Sequence, residues 1–187
     1  MKKTASLGLL SALLFSSGAA LAEGQWNFLA GLDDNYVANP TLSVMVGNLN
    51  PDINGASSGT ISGLELSLNC PLLQPPSNKI RQQVSYVSYD DQGLKISSFE
   101  LNPHYVIETS PGLGIGFGPG FGYVKAETAN ESQGMLALQL GASLHYTALG
   151  KLFLGAEARY QKTQSDAFAG QKGADNFRVA LKAGYNF

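Results

Sequence analysis

The sequence predicts an all-β fold: an eight-stranded antiparallel up-and-down barrel that crosses a membrane through its strands. Three observations carry this. Most of the chain alternates apolar and polar residues with a period of two, the signature of strands with two different faces. Several of the alternating runs reach about ten residues, the length a tilted strand needs to span a bilayer. Of 187 residues only 14% are charged, against about 25% in an ordinary soluble domain, while 10% are aromatic and 22 are glycine. Such a composition excludes a disordered chain, which is charge-rich and poor in aromatics. With 12 Lys+Arg against 14 Asp+Glu it also excludes a polycationic nucleic-acid binder. The single cysteine, Cys70, excludes an intramolecular disulfide framework and a cysteine-based zinc cluster.

The first element is a signal peptide over residues 1–22. Lys2 and Lys3 form its positive start, 7–15 its short apolar stretch, and Ala20-Leu21-Ala22 the small-residue site for cleavage after Ala22. Its removal takes two lysines, so the exported chain carries 10 basic and 14 acidic residues and is mildly acidic. Residues 23–40 follow as an N-terminal lead-in that rests at the membrane interface. Trp26, Phe28, Ala30 and Leu32 alternate well enough for a strand, and a competing register makes this the first strand and turns 41–48 into a loop. Counting both would give nine strands, against the even numbers of bacterial single-chain barrels.

The barrel proper is expected over residues 41–187. Its first three strands are predicted at 41–48, 60–69 and 79–89. In the fourth, Phe99, Leu101, Pro103, Tyr105 and Ile107 alternate with Ser98, Glu100, Asn102, His104 and Val106. In the fifth, Leu113, Ile115, Phe117, Pro119, Phe121 and Tyr123 alternate with Gly114, Gly116, Gly118, Gly120 and Gly122. The sixth sets Leu136, Leu138, Leu140 and Leu144 against Gln139, Gly141, Ser143 and His145. The seventh sets Leu152, Leu154 and Tyr160 against Glu157 and Arg159, and the eighth Phe177, Val179, Leu181, Tyr185 and Phe187 against Arg178 and Lys182. Tight turns at 110–112 and 149–150 alternate with longer polar connections at 127–134 and 164–175, the asymmetry of an outer-membrane barrel. The connections at 90–93 and 69–78 depart from it, the first too short and the second too long.

Alternation alone leaves open whether the apolar face meets lipid or fills a soluble calyx or sandwich. A soluble fold would turn the glycine row and few charges to water, whereas an interior glycine face leaves space for longer neighbours. Tyr105, Tyr123, Tyr146, Tyr160, Tyr185 and Phe187 lie near strand ends on the apolar face, where interfacial girdles occur. The apolar face therefore points outward.

The ending Phe177-Arg-Val-Ala-Leu-Lys-Ala-Gly-Tyr-Asn-Phe187 resembles the terminal strand of bacterial outer-membrane barrels. With the signal peptide and the chain length, the mature chain resembles the small eight-stranded barrels of the OmpA-domain, OmpX and opacity-protein type. The resemblance implies a bacterial outer-membrane location, contact with outer-membrane lipids, and delivery by periplasmic chaperones to the barrel-assembly machinery. It also implies that Tyr185 and Phe187 act as the assembly signal.

The inward face gathers a candidate polar network: Glu65, Arg81, Glu100, His104, His145, Glu157, Arg159, Arg178 and Lys182. Charges in a narrow lumen must pair and be hydrogen-bonded. The expectation is a polar plug, since eight strands leave an interior only wide enough for side chains; a gated pore is the competing use. Gly114, Gly116, Gly118, Gly120 and Gly122 make room there for Glu100, His104 or Gln139. Ser143 with His145, and Ser98 with Glu100 and His104, invite a hydrolase reading, but these groups face the lumen and not lipid. The His-x-Ser-Asn motif of the outer-membrane deacylases is missing, so catalysis is not expected. No metal site, cofactor or nucleic-acid partner is expected either. The expected function is that of a monomeric integral outer-membrane barrel with a structural, surface-interaction or narrow-pore role. A carrier of a small hydrophobic ligand in the barrel interior is the alternative, and a lipid hydrolase comes third.

Overall fold

A computed structural model describes residues 25–164 and 166–187. The proposed signal peptide lies outside the described residues.

Eight strands form a closed barrel: β1 (Thr41–Pro51), β2 (Gly59–Asn69), β3 (Lys79–Asp91), β4 (Leu94–Ser110), β5 (Leu113–Glu127), β6 (Ser132–Ala148), β7 (Leu152–Thr163) and β8 (Asn176–Asn186). Each strand pairs antiparallel with the next, and β8 closes on β1 from Asn176 opposite Pro51 to Asn186 opposite Thr41. Several strands outrun the stretches that alternation predicts. β6, for example, begins at Ser132 and reduces the expected 127–134 loop to 128–131. The ladder continues because hydrogen bonding between strands does not need the apolar outer face that makes a strand visible in sequence.

Thr41 and Asn186 lie at one end of the barrel, the terminal end. At the opposite end Gln92 and Gly93, both with positive φ, turn β3 into β4. Leu149 and Gly150 do the same between β6 and β7 at the terminal end. Two successive residues in this region match the twist of a tight hairpin. Residues 25–40 lie outside the barrel wall as a strap. Asn27–Phe28 pairs with Leu73–Gln74, Leu29 N donates to Leu72 O (2.7 Å), and Asn69 N donates to Ala38 O (2.7 Å).

Polarity is inverted relative to a soluble protein. Leu138, Leu140 and Leu181 on the outer face are 62–66% exposed, while Glu100, Arg159 and Arg178 inside are at most 2% exposed. Tyr146 and Tyr185 ring the outer face near the terminal end, and Tyr123 and Tyr160 lie toward the other.

The lumen has two storeys, where alternation suggested a polar inner face throughout. Toward the non-terminal end Leu49, Ile61, Val87, Ile96, Val124 and Met135 form an apolar core. Phe168, in the 164–175 connection, is fully buried in it. The polar storey lies below, toward the terminal end.

Candidate functional site

Strand parity aims the polar storey inward, and the pairing register brings its members together. Glu100 on β4 is the most heavily bonded carboxylate. Arg178 of β8 donates to both its oxygens (2.5 and 2.6 Å), and Ser98 (2.6 Å), Ser85 (3.3 Å) and Asn102 (3.2 Å) add further donors. Glu157 on β7 accepts from Arg159 (3.0 and 2.8 Å), Arg178 (3.1 Å) and Lys182 (2.7 Å). Lys182 also donates to Glu65 (2.5 Å). Three carboxylates and three cations thus alternate across the lumen with no net formal charge. Taking any of these charges from water is costly unless it is paired and bonded in this way, and bidentate arginine–carboxylate geometry is the strong form of such a pair.

Arg159 extends the network. Its guanidinium donates to Gln139 (3.3 Å) and Gln83 (3.4 Å) and lies 3.2 Å from His104 Nε2. On the other side of that ring, His104 Nδ1 is 2.9 Å from Ser143 Oγ, which is 2.7 Å from His145 Nε2. Donor rules orient the chain. Arginine only donates, so His104 Nε2 accepts and its proton is on Nδ1. Ser143 Oγ accepts that proton's bond and passes its own hydrogen to His145 Nε2. His145 therefore carries its proton on Nδ1.

Arg81 stands apart, toward the terminal end. It donates to Ser67 Oγ (3.1 Å) and O (3.0 Å), Asn39 O (2.8 Å), Asn69 Oδ1 (3.2 Å) and Thr41 Oγ1 (2.9 Å). All are neutral oxygens. Of the nine polar residues singled out in the sequence, six form the ion-pair cluster, His104 and His145 join it through Arg159 and Ser143, and Arg81 does not join.

The glycine row of β5 turns inward and leaves space. Gln139 fills beside Gly122, and Ser143 and His104 beside Gly116. At Gly120 the neighbour is Asn102, and at Gly118 it is the backbone carbonyl of Pro103, not a side chain; a Cβ at either position would overlap these atoms. Glu100, expected among the fillers, is drawn to Arg178 instead. Gln139, expected as a filler, and Asn102, expected on the inward face, are buried there, and Gln83 and Gln161 are buried members beyond the expected network, Gln161 by parity with Arg159. Tyr185 and Phe187 lie on the outer face with ring centroids 5.2 Å apart, and the Lys151 ammonium lies 5.3 Å from the Tyr185 ring centre. Among the described residues no group of three or more metal-binding side chains is assembled.

No protein-family model matches the chain, and no curated protein matches it by sequence. Solved structures do match. Neisserial surface protein A aligns at 14% identity with a TM-score of 0.60, over 79% of this chain and 97% of that one. Ail, the attachment invasion locus protein of Yersinia pestis, aligns at 15% identity with a TM-score of 0.54, over 81% of this chain and all of that one. The outer-membrane enzyme PagL aligns at 17% identity with a TM-score of 0.51, over 76% and 97%. The fold is that of the small outer-membrane barrels. Proteins of this fold include an enzyme as well as an attachment protein.

Proposed function

We propose that this chain is an exported, monomeric outer-membrane barrel whose interior is a sealed polar plug and whose work is done by its surface. One observation carries the reading: leucines stand exposed on the outside while Glu100, Arg159 and Arg178 are buried inside. That arrangement suits lipid around the wall and leaves the connections at the non-terminal end facing outward from the cell. The cross-lumen bonds of Arg178 and Lys182 favour a plug over a pore open at rest.

Fractionation of cells tests the location. The protein is expected with outer membranes, migrating differently on a gel before and after heating; recovery as a soluble periplasmic protein would overturn the reading. Planar-bilayer recording is expected to give no sustained conductance, and a steady open channel would replace the plug with a pore.

Tyr185 and Phe187 are read as the assembly signal, recognised by the barrel-assembly machinery after delivery by chaperones. Phe187 is 70% exposed and so contributes little to the finished fold. Its deletion is expected to lower the amount of assembled barrel in cells while refolding in vitro stays intact. Equal assembly without it would remove this role.

Of the two serines that invite a hydrolase reading, Ser98 donates to Glu100 and only Ser143 meets a histidine. Both histidines beside it are used in one directed chain of hydrogen bonds, and the hydroxyl is buried in the lumen, away from lipid. The structural plug is the better account of these residues.

A further inference from the structure

Below the plug, at the terminal end, the lumen opens into a vestibule of about 380 Å³ lined by both neutral and charged side chains. The three buried cations above it are each matched by a carboxylate. Arg81, which lines the vestibule, is not: among the described residues it forms no ion pair. Its five N–H groups are satisfied by neutral oxygens, so its hydrogen bonds are complete without a carboxylate in contact with it. Lys79 adds positive charge to the lining, while the Lys151 ammonium lies outside it, over the outward Tyr185 ring at the rim. Among the described residues Glu108 is the only carboxylate side chain in the lining, and its Oε1 accepts from the Gly112 amide at 3.4 Å.

His145 also lines the vestibule. The chain running from Arg159 through His104 and Ser143 holds its Nε2 as an acceptor and leaves the proton on Nδ1. That N–H has no partner among the described residues. A cavity with surplus positive charge, low-dielectric walls and a fixed donor attracts anions and repels cations.

We propose that this vestibule binds a small oxyanion, a solute bearing a carboxylate or a phosphate group. Arg81 supplies the field, the His145 Nδ1–H a directed bond, and Lys79 a mobile charge at the mouth. The inference rests on the outer-membrane reading only in naming the periplasm as the compartment that supplies the solute.

The test uses the barrel refolded in zwitterionic detergent, titrated with inorganic phosphate and separately with citrate. Amide resonances of Gly112 and Thr147 and the His145 ring resonances are followed by NMR. Saturable shifts are expected with at least one anion, and whichever saturates at lower concentration identifies the preferred group. Arg81→Gln should raise the half-saturation concentration about tenfold through the loss of its field, and Lys79→Gln should raise it less. If Arg81→Gln does not refold, Lys79→Gln and His145→Leu carry the comparison. Shifts that grow linearly with both anions, or half-saturation unchanged in the variants that fold, would overturn the proposal. Failure here leaves cell fractionation untouched, because refolded protein binds or does not bind wherever the cell keeps it.

Discussion

Pro103 and Pro119 stand opposite one another across β4 and β5. The register runs unbroken from Leu101 opposite Phe121 to Tyr105 opposite Phe117, yet the three pairings between are missing. That is the loss expected when one hydrogen-bonded position of an antiparallel ladder has both donors removed, and proline has no N–H. The prolines lie on the outward side of the wall, where lipid offers their neighbours no replacement bond.

Pro119→Val restores one donor at this gap. Stability to urea in lipid vesicles is expected to rise by about 1 kcal/mol, the net worth of one hydrogen bond. An unchanged midpoint would mean that the gap is already satisfied in another way.

The same stretch of β5 gives a second outcome. At Gly118 a side chain would meet the Pro103 carbonyl, which cannot swing aside as a side chain can. Gly118→Leu is expected to destabilise the barrel by about 1–3 kcal/mol, as other overpacked interiors do. Urea unfolding of the refolded variant measures this. A gain in stability would reverse the assignment of inner and outer faces.

Within the plug, Glu100→Gln leaves Arg178 with Glu157 as its remaining carboxylate partner. A loss of about 3–5 kcal/mol is expected, the usual penalty for breaking a buried pair from one side. Adding Arg178→Met should recover much of that loss, since the cluster's surplus positive charge is then gone. A double-mutant cycle in urea checks both, and strictly additive losses would show that the two residues do not act as a pair.

A fourth outcome concerns the strap. Tyr36 donates its hydroxyl proton to the Asn69 carbonyl at 2.5 Å, and partial burial raises its pKa above the usual tyrosine value. The folded state therefore holds this proton more tightly than the unfolded chain does. The contribution is complete below about pH 10, the unfolded value, and is lost as pH rises through the higher folded one. Trp26 fluorescence is expected to change in that alkaline range as the strap loosens, and Tyr36→Phe should lack the transition. The same transition in both proteins would detach it from this hydroxyl.

Alternation made most of the wall legible in the sequence, because a strand with lipid on one side and a polar lumen on the other repeats its chemistry every second residue. Parity likewise turned Glu65, Glu100, Glu157 and the cations opposite them to one side. It could not say which carboxylate meets which cation. Arg178 reaches Glu100 across 78 residues of chain and between strands that are not neighbours, so the partnership follows from barrel closure and not from spacing. The apolar storey was hidden for another reason: Ile61, Val87 and Ile96 face inward, but a buried apolar residue and a lipid-facing one look alike in a string of letters. Phe168 belongs to a polar connection with no period at all. The opposition of Pro103 and Pro119 likewise required the register.

Phe168 also decides how freely the outward connections can change. Its ring is sealed among the apolar side chains of the upper lumen, and Gln171 ties the same connection to Asp52 O (2.6 Å) and Asn54 N (2.9 Å). The 164–175 segment is therefore moored. The 52–58 connection shares that mooring, since Asn54 N meets Gln171 and Ile53 is buried in the same apolar core, and only its tip at Gly55 has open space around it. A foreign epitope grafted at Gly55, like one grafted at Ala169 and Gly170, would rise from a fixed base and be held at a set height above the rim. Sequence drift at either tip can proceed by composition, while beneath them it must keep Ile53 at the first site and one aromatic ring at the second in place.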